Sequence, residues 1–134
     1  MTVDAQTREQ HKDKVRQYLA AFDNDDFDAL RKLTSADMFK KTKDMVRLTR
    51  SMFSDHSLPI QELIAEGDSV MARVLSNGRH TGDFLGVPAT GRTWRGNEGV
   101  GIFRFADGLI IDLWWIFNIP LHLEKLGISM TLTP

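Results

Sequence analysis

Few residues in this sequence could carry out acid–base chemistry, and His80 is the strongest candidate among them. It has the same parity as Val74 and Ser76 along a segment that alternates like a strand, so we predict that it faces inward near the mouth of a pocket. An imidazole there would serve as a general base near neutral pH. The alternative is a histidine that is hydrogen-bonded at the end of its strand.

Two further polar residues are candidates for holding a substrate. Lys40 would anchor an enolate, a carboxylate or a carbonyl oxygen, although its neighbours Lys41 and Lys43 favour a solvated basic turn. Asn118 can donate and accept hydrogen bonds but cannot abstract a proton, so its role would be to orient a carbonyl or a water. Capping the turn ahead of Pro120 is the alternative for Asn118.

Several classes of site are disfavoured by composition and spacing. The chain has no cysteine, which excludes a thiolate nucleophile, a thiolate metal site and a disulfide. His11, His56 and His122 lie far apart in sequence without ligand spacing, so we expect no metal. The sequence has no phosphate loop, dinucleotide fingerprint or serine nucleophile elbow, and we expect no cofactor. A net charge of -1 argues against nucleic acid or an anionic membrane as a partner.

The elements that must position these candidates are helices in the first half and strands in the second. Apolar residues recur at helical spacing over residues 15–22, 27–33 and 45–52, and the run Asp23 to Asp26 stops the first helix and can cap the second. Residues 69–76, 94–105 and 109–117 read as strands, the last two joined by an Asp107-Gly108 hairpin. A short helix over residues 121–126 follows. Helices followed by an antiparallel sheet predict an α+β fold.

The chain length of 134 residues fits a single domain over 1–134, with a polar N-terminal tail over about residues 1–8. The N-terminal segment lacks the apolar core of a signal peptide, and no stretch reaches the ~18 apolar residues of a membrane span. We therefore expect a cytoplasmic protein.

Two motifs give the chain a family resemblance: HTGDFLGVPATG at residues 80–91 and IFRFADG at residues 102–108. With the DFDAL segment at 26–30 and the LEKLG tail at 123–127, the chain resembles the SnoaL-like polyketide cyclases and ester cyclases of the nuclear transport factor 2-like superfamily. The resemblance implies a cone-shaped α+β barrel, in which helices wrap a curved antiparallel sheet around a pocket. It also implies a small hydrophobic substrate, ring closure without a cofactor, and a homodimer through the outer face of the sheet.

The catalytic residues that the resemblance implies are not preserved. The family uses an acid/base Asp on the last strand, a His two residues before it, a His and a Gln on the preceding strand, an Asn after the second helix and, in ester cyclases, a later Asp. The corresponding positions here are Trp115, Leu113, Gly101, Gly99, Lys40 and Asn118, in that order. The resemblance therefore predicts the fold without the aldol machinery.

Strand alternation then predicts the character of the pocket wall. If Trp115 faces the pocket, so do Ile111, Leu113 and Phe117, because side chains alternate between faces. The same face of the neighbouring strand carries Gly99, Gly101 and Phe103, and Phe22 and Met38 complete the predicted lining. Glycines beside a tryptophan indicate volume compensation and an apolar, aromatic wall suited to a flat ligand. The alternative is that Trp115 is an ordinary core aromatic.

Three functions remain open at this point. The first is a cofactor-independent tailoring enzyme that cyclises or rearranges a polyketide by shape and by hydrogen bonds from Trp115, Asn118 or His80. The second is a non-catalytic ligand-binding or accessory subunit for a partner oxygenase. The third retains acid–base catalysis, with His80 as the base.

Overall fold

Within residues 3–129, the part that the computed structural model describes, four helices pack around one strongly curled antiparallel sheet. The helices are α1 (Ala5–Asp23), α2 (Phe27–Leu33), α3 (Ala36–Met52) and α4 (Ile119–Lys125). The strands are β1 (Phe53–Ser57), β2 (Ile60–Glu66), β3 (Ser69–His80), β4 (Thr93–Ala106) and β5 (Leu109–Phe117). The architecture is the α+β half-barrel that the order of elements and the family resemblance predict.

Each described helix begins at a polar residue whose side chain accepts a backbone hydrogen bond from the first turn. The caps are Asp4 for α1, Asp26 for α2, Ser35 for α3 and Asn118 for α4. Such a cap contributes about 1 kcal/mol to helix stability. Helix α1 begins within the predicted N-terminal tail, of which residues 1 and 2 lie outside the described range. None of the helices between residues 3 and 129 is long and apolar enough to cross a membrane.

Strand β3 organises the sheet. Strands β1 and β2 both pair with one edge of it, β4 pairs with the other edge, and β5 pairs with β4. The sequence reasoning did not predict β1 and β2. The register between β4 and β5 places Gly99 opposite Phe117, and Gly101 opposite Trp115. The two glycines and the two rings therefore share one face of the sheet, as strand alternation predicts.

The prediction that Ile111 faces the same side of the sheet is wrong. The register slips between β4 and β5, so that Arg104 pairs with Asp112 but Phe105 pairs with Ile110. The extra residue on β5 is Ile111, which a bulge of this kind turns outward. Ile110 takes the inward position and is fully buried, whereas Ile111 is 42% exposed.

Two apolar clusters fill the concave side of the sheet. The larger lies under α1, α2 and α3, where the Tyr18 ring meets Phe103 edge-on and the Tyr18 hydroxyl lies 3.0 Å from Thr42 Oγ1. The smaller gathers Phe53, Trp94 and residues of α4 and its flanks. The space between the two clusters becomes the cavity described below.

The HTG portion of the 80–91 motif has a clear structural role. The backbone N–H groups of Thr81 and Gly82 both donate to the Met52 carbonyl at 3.0 Å, which ties the end of β3 to the end of α3. A Cβ on Gly82 would collide with the backbone carbonyl of Ser51. Because the obstacle is backbone, it cannot rotate away, and glycine is required for this close approach.

Replacing Gly82 with alanine should therefore destabilise the fold by about 2 kcal/mol or more, the range of overpacking that local shifts cannot relieve. The free energy of unfolding, from chemical denaturation, measures the effect. Thr81→Ala is the matched control, since Thr81 is adjacent and exposed. Equal stabilities of the two variants would contradict the close-approach explanation.

Candidate active site

A cavity of about 220 Å³ lies between the two apolar clusters. Helices α1, α3 and α4, strands β1, β3, β4 and β5, and the connecting loops contribute to its wall. Its apolar lining consists of Phe22, Met45, Leu48, Met52, Phe53, Leu58, Phe84, Trp94, Trp115, Phe117 and Ile119. Its polar lining consists of Thr49, His56, Ser76 and His122. Leu48 at the rim is 59% exposed, which marks the side on which the cavity meets solvent.

The β5 side of the cavity is an aromatic wall that depends on bare backbone in β4. Trp115 and Phe117 stack with ring centroids 5.2 Å apart, and Phe103 meets Trp115 edge-on at 5.9 Å. A Cβ on Gly101 would lie 2.7 Å from Cζ3 of Trp115, and one on Gly99 would collide with the Phe117 ring. Both rings therefore lie directly against the β4 backbone, where other residues would push them into the cavity.

His56 enters the cavity because of a bulge in β1. Between Ser54 and Ser57 the register with β3 slips by one residue, and Asp55 adopts a left-handed backbone conformation with φ 52°. Normal alternation from the inward-facing Phe53 would turn His56 outward, and the extra residue turns it inward instead. A non-glycine residue with positive φ is uncommon and stores backbone strain.

The Nδ1 edge of the His56 ring faces the carboxylate of Asp23. His56 Nδ1 lies 3.8 Å from Asp23 Oδ1, and both atoms are buried without a hydrogen-bond partner. Asp23 Oδ2 accepts a hydrogen bond from the Leu58 N–H at 3.1 Å, which fixes the carboxylate. Arg50 lies next to this pair and donates to the Phe22 and Asp23 carbonyls at the end of α1.

These surroundings keep His56 neutral. Burial lowers the pKa of His56 to about 4, and the charge of Arg50 and the proximity of His122 add to this effect. Burial also raises the pKa of Asp23, against the hydrogen bond from Leu58 and the charge of Arg50. At neutral pH the two groups are therefore not a salt bridge. The imidazole is unprotonated and keeps a free lone pair, and its lowered pKa makes it a weaker base than histidine in water.

A second imidazole, that of His122, lines the cavity from α4. Its ring lies 4.2 Å from that of Trp94 and 4.9 Å from that of Phe84, and its buried Nε2 has no hydrogen-bond partner. Burial, and secondarily His80, lower the pKa of His122 to about 4. His122 is therefore neutral at pH 7. Trp94 itself donates from Nε1 to Ser76 Oγ at 3.2 Å, which fixes the indole in the wall.

Comparison with known proteins places this architecture in a family. A family model described as SnoaL-like polyketide cyclase matches residues 12–120. The chain belongs to the SnoaL-like polyketide cyclase family. No curated protein matched the sequence.

Solved structures of three bacterial proteins share the fold across nearly the whole chain. TsrD from Streptomyces laurentii is 26% identical, with a TM-score of 0.82 over 95% of this chain and 99% of its own. IdmH from Streptomyces antibioticus, a proposed polyketide cyclase, is 25% identical, with a TM-score of 0.77 over 89% of this chain and 99% of its own. AclR from Streptomyces galilaeus, a proposed hydroxylase, is 24% identical, with a TM-score of 0.77 over 94% of this chain and 90% of its own. At that identity AclR supports the fold alone.

Some of the site residues predicted for this SnoaL-like chain lie at the cavity. Phe22, Trp115 and Phe117 line it, and Gly99 and Gly101 support it from behind the rings. The indole of Trp115 faces the cavity and lies among partly buried residues at the edge of the core.

Other predicted residues lie outside the described lining. Met38 and Phe103 are buried in the larger cluster, and Leu113 packs against it. Lys40 is exposed on α3, and Asn118 caps α4 by accepting the Leu121 N–H at 3.2 Å. The capping alternative for Asn118 is thus the observed contact.

His80 faces inward as its parity predicts, but it lies behind the cavity wall. It is fully buried and contacts the rings of Phe53 and Phe84. Its Nδ1 lies 3.0 Å from Thr90 Oγ1 and accepts the Thr90 N–H at 3.2 Å. The hydrogen-bonded alternative therefore describes its contacts, and the partner is Thr90.

The sequence reasoning missed the two imidazoles that do line the cavity. His122 carries a signal: with Ile119, Leu123 and Leu126 it forms one helical stripe, which places it on the apolar face of α4. His56 carries none, because its inward orientation results from a bulge in a short polar strand. Within residues 3–129 no three His, Asp or Glu side chains are grouped to hold a metal.

The dependence of Trp115 on Gly101 is testable by a double-mutant cycle. Gly101→Ala should cost about 1–3 kcal/mol of unfolding free energy in the wild-type background, because its methyl group overpacks against the indole. In a Trp115→Leu background the same substitution should cost much less, since the obstructing ring atoms are absent. Chemical denaturation measures all four proteins.

Trp114→Leu supplies the matched background, because Trp114 is adjacent but lies on the opposite face and is 56% exposed. Gly101→Ala should retain its full cost there. An equal cost in all three backgrounds would contradict volume compensation.

Proposed function

We propose that this protein is a cytoplasmic, cofactor-independent cyclase- or isomerase-type tailoring enzyme that acts on a small hydrophobic polyketide or a related natural product. The observation that carries the proposal is the apolar, aromatic cavity, whose wall holds a few polar groups. A SnoaL-like fold with such a cavity fits a flat or polyene-like substrate. The last-strand Asp of the family is Trp115 here, so another group must supply any proton transfer.

The size of the cavity limits what it holds. Its volume of about 220 Å³ falls below the roughly 300–1,000 Å³ of sites for drug-sized ligands. It therefore suits a small ring system, or the reacting end of a longer chain whose remainder leaves past Leu48. Binding one end of a flexible chain in a near-attack fold removes several kcal/mol of entropy from a ring-closing barrier.

Shape and hydrogen bonds would act together in such a reaction. The stacked rings of Trp115 and Phe117 give a planar substrate a surface to lie on, and aromatic pairs contribute about 0.5–1.5 kcal/mol beyond area burial. The indole N–H of Trp115 is a hydrogen-bond donor for a developing oxyanion, and the neutral imidazoles of the wall both donate and accept.

A binding assay tests the cavity. An anthraquinone titrated into the protein should quench tryptophan fluorescence, and Trp115→Leu should weaken its binding by about tenfold, the equivalent of one lost ring contact. Trp114→Leu is the matched control and should bind normally. Equal affinities of the two variants would show that the ligand binds elsewhere.

A turnover assay separates catalysis from an accessory role. Linear polyketide precursors, incubated with and without the protein, should give different product profiles by mass spectrometry. Identical profiles would contradict an enzyme acting alone. Products that appear only when an oxygenase is added would support the accessory alternative instead.

The outer face of the sheet supports the expected homodimer. Trp114 and Ile116 on β5 are 56% and 54% exposed, and they pair with Ile102 and Val100 on β4. Contiguous exposed apolar side chains of this kind mark a protein–protein contact. We propose that two copies associate through this face.

Ile116→Lys should convert the dimer to a monomer, because a buried unpaired charge in the contact costs several kcal/mol. Size-exclusion chromatography with light scattering gives the mass in solution. Leu85→Lys is the control, since Leu85 is 65% exposed in a loop away from the sheet. A dimer that persists in Ile116→Lys would exclude this face.

A further inference from the structure

The one carboxylate–imidazole pair at the described cavity wall belongs to elements that the family's last-strand mechanism does not use. Asp23 ends α1 and His56 lies on β1, with 3.8 Å between Oδ1 and Nδ1. Neither atom has another hydrogen-bond partner, although both are buried. Unpartnered buried polar atoms carry a desolvation cost and require an explanation. A functional contact that forms only with substrate bound supplies one.

We propose that His56 is the general base of this cavity: its Nε2 removes a proton from a carbon acid next to a carbonyl, and Asp23 is a positioning residue that holds the proton of the neutral imidazole on Nδ1. This inference rests on the proposed function and names the reacting group of that same site. It also defines the substrate class as a carbonyl compound with an acidic C–H.

The geometry sets the tautomer. An ionised carboxylate only accepts hydrogen bonds, so the imidazole atom that faces Asp23 is favoured as an N–H. The two ring nitrogens point in nearly opposite directions, and Nε2 therefore carries its lone pair away from Asp23. A distance of 3.8 Å exceeds a hydrogen bond, and catalytic contacts of this type commonly shorten when substrate binds.

Asp55, at the bulge in β1, has a φ of 52°, a left-handed conformation that Asp adopts more readily than most non-glycine residues and that Asp25, Leu85 and Asp107 share. The bulge explains the position of His56. Its structural effect is to turn His56 from the outer face into the cavity. A strand with regular alternation would leave the cavity without this imidazole.

The proton balance is closed within the site. The C–H bond breaks and its proton goes to Nε2. The electron pair of that bond forms the C=C bond of an enolate, and the π pair of the carbonyl moves onto its oxygen. The resulting imidazolium faces the Asp23 carboxylate, whose negative charge offsets part of the free-energy cost of a positive charge on a buried ring. After the enolate reacts, the imidazolium returns the proton to the product, so no oxidant or co-reactant is needed.

The charged and titratable groups around His56 predict the pH dependence. Asp23 faces it from α1, Arg50 from α3 and His122 from α4, with Asp25 beside Arg50. Since burial, Arg50 and His122 lower the pKa of His56 to about 4, the reactive neutral form is present at all higher pH values. The rate should be flat across neutral pH and fall as the pH drops through about 4.

The probe for the experiment is a nitrobenzisoxazole, a flat carbon acid that opens to a coloured cyanophenolate when a base removes its C–H proton and the N–O bond breaks. The wild-type protein should accelerate this elimination over buffer. His56→Gln should reduce the rate on the order of 10²-fold, the usual contribution of a positioned base. His11→Gln is the matched control, since His11 is also buried but stacks on Phe105 away from the described lining.

Asp23→Asn separates positioning from packing. Leu58 N–H requires an oxygen, so the new amide nitrogen must face His56 and donate to Nδ1. The imidazole proton then moves to Nε2, which can no longer act as a base. The rate should fall on the order of 10- to 100-fold while unfolding remains cooperative.

Nitrogen NMR of the histidines gives a readout without turnover. Wild-type His56 should be the neutral Nδ1–H tautomer at pH 7, and Asp23→Asn should convert it to the Nε2–H tautomer. A wild-type Nε2–H tautomer, or elimination that is equally fast in His56→Gln, would overturn the proposal even if anthraquinone still binds and the proposed function stands. If neither anthraquinone nor the nitrobenzisoxazole binds, the proposed function fails, and the role of His56 fails with it.

Discussion

The contact between β5 rings and β4 backbone is the constraint on which the cavity depends. Trp115 and Phe117 can lie flat against the sheet because the residues opposite them, Gly101 and Gly99, have no side chain. Protein interiors are packed tightly enough that a single added methyl group shifts its neighbours. The width of the cavity is therefore set by side chains that are missing from one strand as much as by those present on the other.

Backbone irregularities then decide which side chains reach the cavity. The bulge at Asp55 turns His56 inward, and a second slip in register, near Gly96 with φ 72°, places both Trp94 and Asn97 on the buried face of β4. In a regular β1, alternation would turn His56 outward when Phe53 faces inward. In a regular β4, it would turn Asn97 outward when Trp94 faces inward. Of the polar residues that line the cavity, His56 is thus positioned by a departure from regular pairing.

The low polarity of this environment determines the charge state of its histidines. Burial removes the water that would stabilise an imidazolium, and the nearby Arg50 disfavours a second positive charge beside His56. Both cavity imidazoles are consequently neutral at pH 7 and can exchange protons with a substrate. The cavity of this SnoaL-like chain therefore contains unprotonated imidazoles beside the indole of Trp115.

Sequence reasoning reached the parts of this structure that follow from periodicity. The helices and the β4–β5 hairpin follow from spacing, and the facing of Trp115 by glycine follows from strand alternation together with the family resemblance. It failed at Ile111 and at His56 for the same physical reason, since a bulge shifts the face of every residue after it and leaves little trace in sequence. It also overvalued His80, because inward parity does not distinguish a cavity wall from the layer behind it.

A crystal structure of the protein with a bound anthraquinone would show whether the β5 rings and the β4 glycines form the binding surface. We expect a planar ligand against Trp115 and Phe117, with one carbonyl group beside His56 and the Trp115 ring still resting on Gly101. A ligand bound outside the cavity, or a Trp115 ring turned away from it, would show that these rings do not bind the ligand.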